Sequence, residues 1–373
     1  MVKLIILYHT FLTMELQDVL TQTLYSQIRE EAVIFDSLVF GEGATGSAYS
    51  ITHQGRVYWY WQVSTPTGNR KMLIGRDSDE TRSTIAQLET QRGNREQLLD
   101  GLKRASAAFL ASGGMSNEPA HFRVMEKLAM AGLFRKNLVL IGSHGFVSIG
   151  NALGVRWHGQ LKTTDMDIAR SQSIAIAVPT DSGEILSVPD VAKSADSSFF
   201  LVAELDPRKP SSTLMSRKTK VKLDFLTTQK SMENTETRYF ADINIAASPL
   251  RFMDYLLSGN NFKGLIVGNY AIPVTLPDPA RFAIHKLIIA QERTANRDIK
   301  ALKDIRQADE VLQALIILGK EFEIRDAMSS ACKMRGALAN INKSIIEPSG
   351  LSDGVREVIE PLAVKPKSSR SAP

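Results

Sequence analysis

Leu140-Ile141-Gly142-Ser143 and, beyond a spacer, Thr163-Thr164-Asp165-Met166-Asp167-Ile168 are the two stretches that decide how this chain is read. The apolar run Asn137–Ile141 predicts a short buried strand that ends in a Gly-Ser turn. A glycine at such a turn lets backbone N–H groups approach a phosphate, and the N-terminus of a following helix favours its negative charge. Ser143 adds a hydroxyl donor there. Asp165–Ile168 predicts a second strand. Residues two apart on a strand share a face, so Asp165 and Asp167 project side by side while Met166 and Ile168 are buried behind them. Adjacent carboxylates repel unless a cation or proton lies between them. Mg²⁺ suits that position, because it takes hard oxygen ligands and shares them with phosphates. Two further acids lie downstream, Asp224 in the alternating strand Val221–Phe225 and Asp242 in Ala241-Asp242-Ile243, and strand alternation would aim Asp224 into a cleft. The alternative for Asp224 is a surface pairing with Lys220 or Lys222.

Working outward, Leu16, Val19, Leu20, Leu24 and Ile28 recur at helical intervals within 15–38, and Gly41-Glu42-Gly43 ends that pattern. Residues 48–53 and 56–63 predict a hairpin around Gln54-Gly55, with a third strand at 71–75. Helices are expected over 79–111 and 119–131, and a short one from Phe146 to Leu153, stopped by Gly154. Residues 174–178 read as helical or irregular, and 199–202 as a strand. The chain is expected to turn helical over 250–257, then to form a hairpin over 265–276 pivoting on Gly268-Asn269. Asp278-Pro279 supplies the N-cap and first-turn proline of a helix through Ala290. A further helix is expected over 297–318.

The 373 residues carry 43% hydrophobic and 23% charged side chains, globular proportions that exclude collagen-like, coiled-coil and wholly disordered classes. Cys332 is the single cysteine, so there is neither a disulfide framework nor a cysteine-based metal cluster, and a reducing cytoplasm is the expected setting. Net charge is +5, with an excess in 281–373, where 16 Lys and Arg face 12 Asp and Glu. That excess suits either a polyanionic partner or a solvated helical surface. The apolar Leu4–Tyr8 run is far below the ~20 residues that span a bilayer, so no membrane association is expected. Residues 1–13 read as a loose extension or an ill-chosen start, and Lys365–Pro373 as disordered.

Taken together, the Gly-Ser turn, the Asp-x-Asp strand and a later strand carboxylate resemble the polymerase-β-like nucleotidyltransferase superfamily. Between Ser143 and Asp165 lie 21 residues, about twice the spacer of minimal members. That longer form is similar to a bacterial branch of uncharacterised nucleotidyltransferase-fold proteins. Gly55–Tyr60, Ser248–Leu256, His285-Lys286-Leu287 and Lys303-Asp304 also look like that branch. The resemblance implies an α+β fold: a mixed-sheet core with flanking helices, a small N-terminal β-containing region, and a C-terminal helical domain that closes over the nucleotide. In chain order these are 1–115, 116–248, 249–350 and a tail over 351–373. It further implies an Mg²⁺-dependent enzyme, with two ions held by Asp165, Asp167 and a third carboxylate on a later strand, Asp224 with Asp242 as its competitor. Such an enzyme moves a nucleoside monophosphate from an NTP to a hydroxyl of RNA, a protein or a small molecule. Gly142, Ser143, Lys286 and Lys303 would contact the triphosphate. Some relatives are toxins, which implies a toxin-like role and an antitoxin partner. The alternative is a catalytically silent nucleotide- or RNA-binding module of the same fold.

Other residues admit plainer readings. Lys286 is as readily a solvated helix lysine as a phosphate ligand. Arg293, Arg297 and Lys300 form a basic stripe for an acceptor or a solubilising face. Tyr58–Trp61 suits base stacking, although a hairpin normally packs one such face on the core. His144, directly after the Gly-Ser turn, reads either as a group near the phosphates or, more plainly, as a solvent-facing helix-start histidine, and the remaining histidines lack metal-ligand spacing. A P-loop and a Gly-x-Ser-x-Gly elbow are both absent from the sequence.

Overall fold

The computed structural model describes residues 14–39, 46–65, 68–158, 163–171, 186–204, 206, 209–229, 231, 235–293, 297–347 and 350–364. The readings made for 1–13, 41–43, 174–178 and 365–373 lie outside the described residues.

The chain opens with β1 (Met14–Leu16) and α1 (Val19–Val39), then a meander of β2 (Ser47–His53), β3 (Arg56–Thr65) and β4 (Gly68–Arg76). The long helix α2 (Asp79–Ala111) follows, capped where the Ser78 hydroxyl accepts from the Thr81 N–H. Next come α3 (Pro119–Met130), β5 (Leu138–Ile141), α4 (Gly142–Leu153), β6 (Val155–Trp157) and β7 (Asp165–Arg170). The middle continues through α5 (Val188–Ala195), β8 (Phe199–Leu201), β9 (Thr213–Ser216), β10 (Lys222–Thr228), β11 (Arg238–Phe240) and β12 (Ile245–Leu250). Then follow α6 (Met253–Leu257), the hairpin β13 (Phe262–Val267) and β14 (Ala271–Leu276), and α7 (Pro279–Ala290). The last helices are α8 (Arg297–Ile317), α9 (Glu321–Cys332), α10 (Ala337–Ile345) and α11 (Asp353–Ile359).

A mixed sheet in the order β11-β12-β10-β7-β5 forms the centre, giving an α and β architecture with helices around it. β7 and β10 run parallel, while β5 runs antiparallel to β7. The far edge of β10 is divided. Its first residues pair with β9, which carries β8, and its last residues pair with β12. The buried positions of β7 and β10 alternate, so Met166, Ile168, Leu223 and Phe225 face the core and the residues between them face outward.

One apolar core runs from Met14 in β1 to Ile359 in α11 and includes both central helices and the β13–β14 hairpin. Phe146 of α4 stacks on Trp157 at 4.6 Å and faces Phe282 of α7 at 6.4 Å, which fixes α7 beside the sheet. The three-stranded β2–β4 sheet is packed separately. Trp61 and Ile85 are buried beneath it but lie outside the main core.

Three local expectations are corrected. α4 begins at Gly142 rather than Phe146, because Gly142 takes φ +64° and turns the chain from β5 straight into the helix. The helix expected over 250–257 starts only at Met253. Pro249 and Leu250 extend β12, pairing with Thr227 and Thr228. Proline is tolerated there because β11 stops opposite Ala247, leaving that edge open where Pro249 has no N–H to give. The stretch from 351, read as tail, holds α11, with Val355 and Ile359 fully buried and Ser352 bonded to Asp309.

Candidate active site

The register of three strands builds the site. Asp167 lies between Ile141 of β5 on one side and Asp224 of β10 on the other, each as its direct partner. Asp165 sits two residues before Asp167, on the same outward face. Gly142 follows Ile141, so the turn into α4 arrives at the Asp167 carboxylate. A Cβ at position 142 would fall 2.0 Å from Asp167 Oδ2. Gly142 is therefore required twice, for its positive φ and for the space its missing side chain leaves. Asp242, the competitor, is elsewhere. It occupies the turn before β12 and accepts from Arg170 Nη1 at 2.8 Å, with Lys136 at 3.8 Å.

Burial pushes the Asp167 carboxyl up to about 6. Lys286 pulls it down, and the Asp224 and Asp165 carboxylates push it further up. Asp224 is already engaged. Its Oδ1 accepts from the Thr213 hydroxyl at 2.6 Å and its Oδ2 from Lys222 Nζ at 2.7 Å. The Lys222 pairing foreseen as an alternative is thus present, in a residue that also lines the cavity. Among the described residues, no three His, Cys, Asp or Glu side chains are gathered as a ready metal cluster. The donor set nevertheless suits a hard cation: three carboxylates on two adjacent strands, the middle one raised chiefly by burial and further by its acidic neighbours. Lys222, about a third exposed, is the group that competes for Asp224. Lys222→Met is expected to tighten apparent Mg²⁺ binding several-fold, read as the Mg²⁺ concentration that half-saturates the rise in melting temperature.

Beside these groups opens a cavity of about 570 Å³. Gly142, Asp167 and Asp224 form one wall, while Lys286 of α7, Lys300 of α8 and Arg293 from the connection between them face it. Neither Asp165 nor Ser143 is among the described residues lining it. Ser143 is half-buried in the first turn of α4. Lys286 is buried rather than solvated, and its Nζ donates to Asp304 Oδ1 at 2.7 Å. Arg293 takes the other oxygen of Asp304 at 2.6 Å, so Asp304 holds two cations at the cavity wall. Lys303 does not pair with its neighbour Asp304. It is half-buried, its ammonium shifted down by burial and by Lys286 against the pull of Asp304, Asp167 and Asp165. Lys303 has no ion-pair partner among the described residues. The Arg297 side chain lies outside the described residues.

A family model described as Nucleotidyltransferase matches residues 120–333, a span that contains every group just placed. The chain belongs to that family. No curated protein and no solved structure matches it. Among the described residues no helix is long and apolar enough to cross a membrane.

Within this nucleotidyltransferase-family site, the solvent-facing reading of His144 is corrected. The residue is buried, and its ring lies 4.6 Å from that of His121, also buried. The Asn117 Oδ1 accepts the Val267 N–H, so its Nδ2 donates to His144 Nδ1 at 3.1 Å. Nδ1 is then an acceptor, and the neutral ring carries its hydrogen on Nε2, which has no partner among the described residues. Burial, His121 and Lys303 push the His144 imidazole down to about 3, keeping it neutral beside the Gly-Ser turn. The signal lay in the sequence. With α4 starting at Gly142, His144, Ser148 and Asn151 fall at i, i+4 and i+7, and all three are buried.

Proposed function

We propose that the chain transfers a nucleoside monophosphate from an NTP to an acceptor hydroxyl, on a polymerase-β-like core. The observation that supports this reading best is Asp167 held between Gly142 and Asp224 at matched register on adjoining strands. Asp165, Asp167 and Asp224 are the side chains that would hold Mg²⁺, which when bound supplies charge neutralisation of the triphosphate and a lowered pKa for the acceptor hydroxyl. The Gly142 turn and the α4 N-terminus present backbone N–H groups to the phosphates. Lys286 and Lys300 place positive charge along the cavity that receives them. In the reaction the acceptor oxygen attacks the α-phosphorus, the bond to the bridging oxygen breaks, and pyrophosphate leaves. Asp224 Oδ2, once freed from Lys222, takes the hydroxyl proton. The acceptor in this reading is RNA, and a toxin-like role with an antitoxin partner belongs to the same proposal.

The experiment is incubation of the purified chain with each α-labelled NTP, Mg²⁺ and, in turn, cellular RNA, protein and small-molecule fractions. Label moving to RNA with the native chain but not with Asp165→Ala is the expected result. If no NTP labels any RNA, protein or small-molecule acceptor, the chain is the silent binding module instead. The Lys222 grip on Asp224 is the observation that favours that second reading.

A further inference from the structure

The β2–β4 sheet has two unlike faces. Register places Tyr49 opposite Tyr60, Ile51 opposite Tyr58, and Leu73 opposite Tyr60 on one side. Arg56, Lys71 and Arg76 align with that same face, through His53, Gln62 and Tyr58 respectively. The other face carries Trp59 and Trp61 and lies against α2. Trp61 is buried there, Trp59 Nε1 donates to Asp77 at 2.9 Å, and the Thr81 hydroxyl donates to the Arg76 carbonyl.

The open face is aromatic and cationic together. The Tyr49 and Tyr60 rings stack with centroids 5.5 Å apart and planes 19° apart, and Lys71 Nζ lies 5.6 Å over Tyr49. Tyr49, Tyr58 and Tyr60 are half-exposed, Tyr49 with its hydroxyl end enclosed, while Ile51 and Leu73 stand 44% and 55% exposed. Across residues 46–76 there are four Lys or Arg and no Asp or Glu. A protein partner would be matched by apolar surface or mixed charge. Unopposed cations rimming a row of rings match a flexible polyanion that also carries flat apolar groups.

We propose that this face binds a single-stranded polynucleotide, its bases stacked on Tyr49, Tyr58 and Tyr60 and its phosphates met by Arg56, Lys71 and Arg76. The sheet rides on the N-terminal part of α2, whose far end (Leu102, Ala105, Phe109) is anchored in the main core. From Thr81 to Arg95, whose guanidinium lies over Phe35 of the core, the helix rises about 20 Å at 1.5 Å per residue. The platform therefore stands off from the body as a separate handhold for the strand. What the strand is for rests on the transferase reading; whether it binds does not.

The test is fluorescence anisotropy of labelled uridine RNA and thymidine DNA oligonucleotides, and of a duplex RNA, with the full chain. Binding of the single strands with affinity falling steeply as salt rises is expected. RNA alone, or RNA and DNA alike, tells which source the strand comes from, and either supports the platform. Tyr49→Ala with Tyr60→Ala should weaken binding at least about tenfold, and Tyr49→Phe with Tyr60→Phe should retain it. Arg56→Glu with Lys71→Glu leaves the rings in place and should weaken binding and flatten the salt dependence. Absence of binding at low salt, duplex bound as tightly as single strand, or an alanine pair that folds and binds like the native chain overturns the proposal. Asp165→Ala should bind as the native chain does. A chain that binds but never transfers label therefore refutes the enzymatic reading alone.

Discussion

Asp167→Asn is expected to remove at least about a thousandfold of nucleotidyl transfer while making the protein more heat-resistant at pH 8. The loss follows from the position of Asp167, which sits in direct register with Asp224 and against the Gly142 turn. The gain follows from the charge. Burial, with the neighbouring carboxylates, raises this group from 3.8 to about 6. A carboxyl raised in the folded state binds its proton more tightly there than in the unfolded chain. Its contribution to stability is complete below about pH 4 and is lost as pH rises through about 6. Two units at 1.36 kcal/mol each make that loss about 3 kcal/mol, or about 3–4 °C in melting temperature for a chain of this size. Asparagine carries no such cost. The Tm advantage of the variant should therefore appear at pH 7–8 and vanish near pH 4. Glu310, buried on α8 and pushed up to about 8, gives both proteins a parallel slope, so the difference between the two curves is the readout. A variant that loses activity with no pH-dependent gain would show that Asp167 is not crowded as described.

Gly142→Ala is the second change with a large expected effect. A methyl there would stand 2.0 Å from Asp167 Oδ2 and would hold an L-residue at φ +64°. The left-handed backbone alone costs about 1–2 kcal/mol. The collision is worse, because Asp167 is fixed by the strands on both sides. The carboxylate must turn away or the β5–α4 turn must open. Either response dismantles the site while the core behind it, Met166 and Ile168, stays packed. Transfer should fall at least about a thousandfold, with a cooperative melt preserved at a Tm a few degrees lower. Activity within about tenfold of native would mean that the turn does not press on Asp167.

Much of this was legible in the sequence, for identifiable reasons. Alternation carries the two strands that matter. Asp165 and Asp167 with Met166 and Ile168 between and behind them leave one arrangement that buries the apolar pair, and Leu223-Asp224-Phe225 repeats the logic. The helix over 79–111 was readable end to end because Ser78 caps it. The start of α4 was hidden because a positive φ at Gly142 has no periodic signature, and with it went the burial of His144. Strands of three or four residues, such as β9 and β11, are too short for a period to show. Lys303 and Asp304 suggest a pair by adjacency, yet consecutive residues on a helix face different ways. The partners of Asp304 are Arg293 and Lys286, the latter 18 positions earlier on another helix, relations that only packing creates.

The aromatic stack that ties α4 to α7 bears on how a nucleotide gains entry. Trp157, Phe146 and Phe282 form one continuous column, so the wall bearing Gly142 and the wall bearing Lys286 are bolted into the same core. A helical half swinging as a hinged jaw would have to tear that column apart. Access is better served by side chains alone, with Lys222 and Arg293 exchanging carboxylate partners for phosphates between rigid walls.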